Sequence, residues 1–312
     1  MAWFFVVLGL VTLLLAGDFL VRGAVNLALR LGISALVVSL TVVAFGTSAP
    51  ELLIVLSAMA DDAPGLAMGN VIGSNTANIL LVLGLPAVAA GLHTAGFDTK
   101  KTFILMILST ALFIILAFMG PFSLWHGTLL LVILAAILLD QARTARRDRR
   151  AAVTTEALDG VDPSMPGWKI MLYLLLGLVG LPLGAKVLVA NAEIIAREFG
   201  VPETTIGLTL IAVGTSLPEL ATTTVAAIKR QADVALGNVI GSNMFNLLAI
   251  IGIAALVGPI PVAEEFLSFD LWVMLAASLL LIPFVFFGRN ITRIWGAALT
   301  LLYMAYLFVV LL

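Results

Sequence analysis

Long apolar segments alternate with short polar connections along almost the whole chain. A helix needs ~20 apolar residues to cross a bilayer, and ten segments approach or exceed that length. They predict ten transmembrane helices, near residues 2–29, 33–59, 66–91, 101–119, 123–142, 168–197, 203–228, 234–257, 268–287 and 292–311. The pattern therefore indicates an all-α polytopic membrane protein.

The connection at residues 143–166 is longer and more polar than the others. It starts with a run of arginines and ends among prolines and glycines, so we interpret it as a flexible linker. The arginines are interpreted as a topology signal in preference to a site for anionic lipid or regulation. The predicted organisation is a five-helix half at 1–142, the linker at 143–166 and a second five-helix half at 167–312. The first apolar segment lacks a preceding basic region, which favours a retained span over a cleaved signal peptide.

Composition supports the membrane assignment, and the positions of charge predict an orientation. Hydrophobic residues make up 62% of the chain and charged residues 11%, against ~45–50% and ~25% in soluble domains. Lys and Arg of short loops concentrate in the cytoplasm. With the N-terminus outside, all but two of the 16 Lys and Arg residues fall inside; the exceptions are Arg197, outside, and Lys186, within a span. Both termini, with the acidic loop pieces Asp61–Asp62 and Glu264–Glu265, are thus predicted outside and the linker 143–166 in the cytoplasm.

Two motifs recur at a constant separation. GTSAPE at 46–51 returns as GTSLPE at 214–219, and GNVIGSNTAN at 69–78 returns as GNVIGSNMFN at 237–246, in each case 168 residues later. Aligned without gaps over 45 positions, the two copies share 21 identities, which indicates a duplication. Because each half has five predicted spans, the second half enters the membrane from the opposite side. Inverted repeats of this kind are typical of transporters whose site lies at the midplane between the copies.

The repeated motifs are polar, whereas a duplication that served only packing would preserve apolar residues best. Pro50 has no N–H, so the carbonyl of Gly46 loses its helical partner and the second span is expected to open there. Such an opening is tolerated in a membrane where it lines a cavity. Thr47 and Glu51 are four residues apart and share a helix face. The seventh span repeats the arrangement with Gly214, Thr215, Pro218 and Glu219.

The third and eighth spans add further oxygen atoms to the predicted site. Ser74 and Asn78 are four residues apart in the third span, and Ser242 and Asn246 match them in the eighth. A carboxylate within a span costs ~2.5–3.5 kcal/mol or more and normally faces a partner or a water-filled path. Two symmetry-related glutamates, each beside a proline break, therefore predict an ion site more strongly than a buried structural role.

The donor atoms of this predicted site select a class of ion. The chain has no cysteine, and its two histidines, His93 and His126, lie at loop edges and are interpreted as interfacial. Carboxylate, carbonyl and hydroxyl oxygens suit hard cations such as Ca²⁺, Mg²⁺ and Na⁺. Two ionised glutamates are neutralised by one Ca²⁺ or slightly over-neutralised by three Na⁺. An empty site would keep both negative charges near the midplane, which favours obligatory exchange as a hypothesis.

At these motifs the chain resembles the alpha repeats of the cation/calcium antiporter superfamily, and most of all the prokaryotic sodium/calcium exchangers. The resemblance extends over the whole chain, and it implies Na⁺/Ca²⁺ antiport by alternating access with a cluster of four cation sites. It also implies that the long first and sixth spans slide across the bundle to switch access.

The resemblance implies a ligand set of twelve residues, with carbonyl oxygens contributed by the two alanines. They are Glu51, Glu219, Thr47, Ser48, Ser74, Asn78, Thr215, Ser216, Ser242, Asn246, Ala44 and Ala212. Some relatives carry an acidic residue where this chain has Asn246. Because Asn78 and Asn246 are both neutral, a proton-coupled cycle through this position is disfavoured, while a K⁺ requirement stays open.

Two charged positions in the first and sixth spans correspond in the repeat. Asp18 and Arg22 are four residues apart and are expected to pair. Lys186 occupies the position that matches Asp18. We favour snorkelling of Lys186 to the interface over a role in gating.

The leading interpretation is an electrogenic Na⁺/Ca²⁺ antiporter that uses no cofactor and needs no protein partner or nucleic acid. The alternatives are a Ca²⁺/H⁺ or K⁺-dependent exchanger, a passive cation channel, and a membrane scaffold that transports nothing. An enzyme is not indicated, since the chain has no phosphate-binding loop, no nucleophile–base set and no soluble domain.

Overall fold

The described part of the chain is built from twelve helical segments. The computed structural model describes residues 1–95, 99–148, 162, 164–200 and 212–310. The segments of the first half are α1 (Ala2–Leu31), α2 (Ala35–Thr47), α3 (Ala49–Ala60), α4 (Pro64–Ala90), α5 (Lys100–Phe118) and α6 (Leu124–Asp148). Those of the second half are α7 (Gly167–Glu198), α8 (Ala212–Thr215), α9 (Leu217–Ile228), α10 (Ala232–Val257), α11 (Phe266–Phe286) and α12 (Arg293–Val310).

Among the described residues, eight helices are long and apolar enough to cross a membrane. The bent pair of α2 and α3, which meet at 40°, makes a ninth span if it is counted as one. The chain is therefore an all-α multi-pass membrane protein. The predicted seventh span, 203–228, falls partly on residues 203–211, which lie outside the described residues; its described part consists of α8 and α9.

Two helix breaks lie at the prolines that the repeated motifs place in the second and seventh spans. Pro50 lies in the first turn of α3 and Pro218 in the first turn of α9, where a residue without an N–H is tolerated. The residue at the break has the same backbone conformation in both copies, with φ −83° and ψ 1° at Ser48 and φ −82° and ψ 1° at Ser216. The predicted opening of the helix at each proline is confirmed.

The two helices that carry the GNVIGSN motifs, α4 and α10, lie at the centre of the bundle. Within their most apolar 18-residue windows, 83% of α4 and 89% of α10 is buried, compared with 33% of α1 and 28% of α7. In a bilayer the outermost helices contact lipid, so their exposed apolar residues are expected. The polar motif residues are thus in the best-shielded part of the protein.

The two longest helices, α1 and α7, pack antiparallel on one side of the bundle. Glycines allow their backbones to touch: a Cβ at Gly177 would lie 2.8 Å from the Cα of Leu20, and one at Gly9 would lie 2.9 Å from the carbonyl oxygen of Gly184. Small residues at such contacts are the usual means of close helix packing in membranes.

Short backbone bridges connect the two halves at their ends. Leu92, after α4, exchanges two hydrogen bonds of 2.9 and 3.0 Å with Ile291, before α12. Phe122, before α6, exchanges two of 2.9 Å with Ile260, after α10. Each half therefore binds the other through equivalent loops.

The predicted linker differs from expectation at its start, because α6 continues to Asp148 and residues 143–148 are helical. Residues 149–161 and 163 lie outside the described residues. Near the linker's end, the backbone N–H of Asp162 donates to Oδ1 of Asn26 on α1 at 2.9 Å. Met165 is buried in the same cluster as the α1–α7 contact, so this end of the linker is attached to α1.

Candidate cation-binding site

Two buried glutamates form the centre of the candidate site. Glu51 lies in the first turn of α3 and Glu219 in the first turn of α9, with 1% and 0% of their surfaces exposed. A helix N-terminus carries a partial positive charge that stabilises a nearby carboxylate. The helix breaks therefore place each glutamate where its own backbone favours a negative charge.

Most of the carboxylate oxygens lack a hydrogen-bond partner among the described residues. Both oxygens of Glu51 and one of Glu219 are in this state. The remaining oxygen, Oε1 of Glu219, accepts a hydrogen bond of 3.4 Å from the hydroxyl of Ser48 across the repeat boundary. Burying an ionised carboxylate without a partner is costly, so the geometry favours a cation between the two glutamates.

Hydroxyl groups of one half meet those of the other half in two equivalent pairs. The hydroxyl oxygens of Thr47 and Ser242 are 3.4 Å apart, and those of Ser74 and Thr215 are 3.5 Å apart. The two pairs are related by the repeat, because Thr215 is the counterpart of Thr47 and Ser74 is the counterpart of Ser242. Thr47 also donates to the carbonyl oxygen of Ala44 at 3.3 Å.

The two predicted asparagine ligands lie where α4 and α10 widen into π-helical turns. Asn78 begins the π turn Asn78–Val82, and Asn246 is the second residue of the π turn Phe245–Ile250. Oδ1 of Asn78 and both side-chain polar atoms of Asn246 are buried without a partner among the described residues. Single π turns are frequent at functional sites, and here they accompany unsatisfied amide oxygens.

The remaining predicted ligands also lie at the breaks. The carbonyl oxygen of Ala44 accepts from the N–H of Ser48 at 3.0 Å in addition to the Thr47 hydroxyl. Ser216 is buried at the second break, and its hydroxyl lacks a partner within the described residues. Ala212 is the first residue of α8, and the residues before it are outside the described part of the chain. The structure thus brings the twelve predicted positions to the breaks of α2–α3 and α8–α9 and to the middle of α4 and α10.

The sequence analysis missed a pair of asparagines between the two halves. Nδ2 of Asn75 donates to the backbone carbonyl of Asn243 at 3.5 Å, and Nδ2 of Asn243 donates to that of Asn75 at 3.3 Å. Oδ1 of Asn243 also accepts from Asn78 at 3.0 Å. Their identity in both GNVIGSN copies was a signal that could have identified them.

Asn238 was missed as well, and it joins three helices. Its Oδ1 accepts from Thr47 at 3.2 Å, and its Nδ2 donates to Thr223 at 3.2 Å and to the backbone carbonyl of Glu219 at 3.5 Å. Asn238 therefore holds Thr47, at the α2–α3 break, next to the first turn of α9, which carries Glu219.

The donor set of the site consists of oxygens. No group of three or more His, Cys, Asp or Glu side chains gathers anywhere in the described ranges, so an ion at this site would be held by two carboxylates together with neutral oxygens. Hydroxyl, amide and carbonyl oxygens beside carboxylates suit Ca²⁺ and Na⁺ rather than thiolate-seeking metals.

A cavity of about 210 Å³ approaches the site from one side. Pro50, Ile54, Thr215 and Pro218 line it from the two breaks, and Lys186 lines it from α7. The cavity thus lies beside Thr215, one of the predicted ligands, at the edge of the site.

The predicted pair of Asp18 and Arg22 is confirmed, with 2.7 Å between the charged atoms. Asp18 also forms an ion pair with Lys229, just after the end of α9, with 2.5 Å between the charged atoms.

His126 lies at the start of α6, where its ring nitrogen Nδ1 accepts a hydrogen bond from the N–H of Ser123 at 3.1 Å.

Comparison with known proteins identifies the family. A family model described as "sodium/calcium exchanger protein" matches residues 1–141 and 169–312. The chain belongs to the sodium/calcium exchanger family.

Individual members of the family resemble the chain along nearly its whole length. The putative antiporter CaxA of Alkalimonas amylolytica is 37% identical, over 98% of this chain and 97% of its own. The sodium/calcium exchanger MaX1 of Methanosarcina acetivorans is 34% identical, over 97% and 96%. The solved structure of the sodium–calcium exchanger NCX_Mj, soaked with Na⁺ and Ca²⁺, superposes with a TM-score of 0.82 at 30% identity and covers 97% of this chain and 96% of its own.

Family membership confirms the resemblance drawn from the repeated motifs. This member of the exchanger family is a multi-pass cation antiporter and not an enzyme. Which residues bind the ions stays a prediction, and the geometry above gives the positions of the predicted ones.

Proposed function

We propose that this exchanger moves Na⁺ against Ca²⁺ across the cell membrane by alternating access, with three Na⁺ exchanged for one Ca²⁺. The observation that carries the proposal is the pair of buried glutamates at opposed helix breaks, whose oxygens lack partners among the described residues. The family name and the likeness to exchangers of Na⁺ and Ca²⁺ support the choice of ions.

In this proposal Glu51 and Glu219 are the central ligands, and neutral oxygens complete the coordination. Ca²⁺ takes ~6–8 oxygens, which two carboxylates and their hydroxyl, amide and carbonyl neighbours can supply. The neutral ligands are Thr47, Ser48, Ser74, Asn78, Thr215, Ser216, Ser242 and Asn246, with the carbonyls of Ala44 and Ala212.

The exchange is proposed to be obligatory because the two negative charges need a counter-ion. One Ca²⁺ would neutralise the glutamates and three Na⁺ would leave one positive charge, whereas an empty site would carry both negative charges through a closed intermediate in a shielded environment. Asn78 and Asn246, both buried and both neutral, supply no acid at the position where a proton-coupled cycle would use one.

The architecture proposed for this mechanism is ten spans in two inverted five-helix halves, at 1–142 and 167–312, joined by the cytoplasmic linker 143–166. The equivalent hydroxyl pairs and the reciprocal Asn75–Asn243 bonds support the repeat. The distribution of Lys and Arg supports placing both termini outside. The long helices α1 and α7, packed on one side of the bundle, are the elements proposed to slide.

Vesicle flux tests the proposal directly. Purified protein in Na⁺-loaded vesicles should take up ⁴⁵Ca²⁺ while an outward Na⁺ gradient lasts, and uptake should stop when the gradient is dissipated. Na⁺, K⁺ and H⁺ gradients are varied one at a time. Uptake driven by a pH gradient without Na⁺ would assign the chain as a Ca²⁺/H⁺ exchanger, and Ca²⁺ flux with no cation on the opposite side would assign it as a channel.

A further inference from the structure

Two turns of the protein have the same backbone and opposite charge. The turn between α3 and α4 carries Asp61–Asp62, and the equivalent turn between α9 and α10, 168 residues later, carries Lys229–Arg230. The second residue of each turn is left-handed, with φ 52° at Asp62 and 58° at Arg230. A backbone hydrogen bond of 2.8 Å closes each turn, from Ala63 to Ala58 in the first and from Gln231 to Ala226 in the second. The backbone symmetry is thus kept while the charge is inverted.

The long helices facing these turns show the same inversion. Asp18 on α1 corresponds to Lys186 on α7. In the structure Asp18 pairs with Lys229 at 2.5 Å, which connects α1 to the α9–α10 turn. The counterpart of this ion pair would join Lys186 to Asp61. Both of these residues are exposed, and neither makes an ion pair within the described residues.

The end of the protein that has the ion pair is also the more tightly packed of the two. Near Asp18, α1 lies directly on α9: a Cβ at Gly17 would be 3.2 Å from the backbone carbonyl of Ala221. At the equivalent place on the other side, Ala185 and Ile54 line the cavity of about 210 Å³ that reaches the site. One end is therefore packed together and held by an ion pair, while the equivalent place at the other end has a cavity and its pair is separated.

We propose that Asp18–Lys229 and Lys186–Asp61 are alternative gate pairs, one at each end of the ion pathway, formed in opposite conformations. The inference rests on the proposed alternating access, because exchanging the conformations of the two halves converts the Asp18–Lys229 pair into Lys186–Asp61. Snorkelling of Lys186 was the interpretation favoured from the sequence, whereas its position on the cavity wall supports gating.

The inverted charges make each gate specific for its own helix. Asp18 on α1 would be repelled by Asp61, and Lys186 on α7 would be repelled by Lys229, since like charges disfavour contact. Each long helix can therefore be held only by the turn at its own end. Breaking a partly exposed ion pair should change the balance of conformations modestly, by at most about fivefold.

The absence of cysteine from the chain allows a single-thiol test. Ile54→Cys places the thiol in the cavity, and its reaction rate with a maleimide is measured on purified protein in detergent at fixed Na⁺. Asp18→Asn or Lys229→Gln should lower this rate, by at most about fivefold, because the conformation with the cavity loses its ion pair. Lys186→Gln or Asp61→Asn should not lower it, because their ion pair belongs to the other conformation. An unchanged rate in both Asp18→Asn and Lys229→Gln would overturn the proposal.

Each turn offers a matched control. Arg230→Gln removes the same charge as Lys229→Gln from the neighbouring position, and Asp62→Asn does so beside Asp61. Both controls should leave the labelling rate unchanged. If Arg230→Gln lowers the rate as much as Lys229→Gln, the effect is one of general surface charge and the specific pair is rejected.

Cross-linking tests the pair that is separated in this structure. Lys186→Cys with Asp61→Cys should be joined by a short, reducible thiol cross-linker when the protein cycles, as should Asp18→Cys with Lys229→Cys. Each link should stop Ca²⁺ flux, and reduction should restore it. Failure of the Lys186–Asp61 positions to link in a protein that transports would overturn the gate. Linking without any Na⁺-driven flux in the unsubstituted protein would instead leave the gate standing and reject the proposed function.

Discussion

At the scale of single residues, the exchanger concentrates unsatisfied oxygen around two carboxylates. Glu51 has no hydrogen-bond partner on either oxygen among the described residues, and Glu219 has one, Ser48, from the opposite half. A side chain in this state is expensive unless a cation or a proton accompanies it. The requirement for a counter-ion is therefore built into the site and does not depend on the rest of the cycle.

Glu51→Gln and Glu219→Gln should each abolish Na⁺-driven ⁴⁵Ca²⁺ uptake. At metal sites even changes behind the ligands cost about 10–100-fold in affinity, so removing a central charged ligand should cost at least as much. Calcium binding is measured by isothermal titration alongside the flux. Glu264→Gln, which changes an exposed carboxylate just before α11, is the matched control and should transport normally. Full flux in both site variants would show that the ions bind elsewhere.

The sequence predicted the polar positions of the site better than the contacts between them. Pairs four residues apart, such as Thr47 with Glu51, are visible because helix periodicity places them on one face. Asn75 and Asn243 were overlooked because their partners are backbone carbonyls of the other half. Such partners are set by the packing of α4 against α10, which periodicity within one helix does not contain.

Asn75→Ala and Asn243→Ala should both destabilise the protein, and Asn243→Ala more so, because Asn243 also accepts a hydrogen bond from Asn78 at 3.0 Å. Each removes a donor from a buried carbonyl of the opposite half, which costs about 1–3 kcal/mol. The free energy is compared through thermal unfolding of purified protein in detergent. Asn191→Ala is the control, since among the described residues Asn191 donates to Val187 of its own helix alone, at 2.8 Å, and should cost less. A loss in either site variant no larger than that of Asn191→Ala would contradict the bonds between the halves.

At the scale of helices, proline breaks and π turns shape the site, and only the breaks were predictable. Pro50 and Pro218 remove a donor in any helix, so their effect follows from the residue alone. The π turns that begin near Asn78 and Asn246 carry no such local marker. They arise where an extra residue is accommodated inside a packed helix, which depends on its neighbours.

Gly177→Ala should separate α1 from α7 and destabilise the protein. A Cβ there would lie 2.5 Å from the Cβ and 2.8 Å from the Cα of Leu20, and such overpacking typically costs about 1–3 kcal/mol. Thermal unfolding gives the loss of stability, and Ca²⁺ flux shows whether the helix pair still moves. Gly65→Ala meets no atom within 4 Å and should be neutral or stabilising by up to ~1 kcal/mol. Equal stability of the two variants would contradict the close contact.

At the scale of the whole molecule, the two halves are related in sequence, in their helix breaks and in their inter-half contacts. The duplication was visible from the two motif pairs alone. The difference between the halves was not visible in the sequence, because it concerns how closely each long helix packs against the opposite half. Helix α1 lies directly on α9, while a cavity separates parts of α7 from α3. Sequence symmetry predicts the two equivalent arrangements but not which of them a given structure adopts.

Exchange of three Na⁺ for one Ca²⁺ should make transport sensitive to membrane potential. One net charge crosses per cycle, which corresponds to ~2.3 kcal/mol per 100 mV. A change of about 60 mV should therefore alter the equilibrium Ca²⁺ ratio by about tenfold. The measurement uses vesicles clamped with valinomycin and K⁺, with voltage-free vesicles as the control. A ratio independent of potential would indicate an electroneutral exchange of two Na⁺ for each Ca²⁺.

The reciprocal bonds between Asn75 and Asn243 differ from the proposed gate pairs, each of which belongs to one conformation. In the proposed alternating access the two halves exchange conformations, so the bond from Asn75 becomes the bond from Asn243 and both are expected throughout the cycle. Spin labels or fluorophores elsewhere in the exchanger can thus be measured against a reference at this position, and any distance that changes belongs to the moving helices.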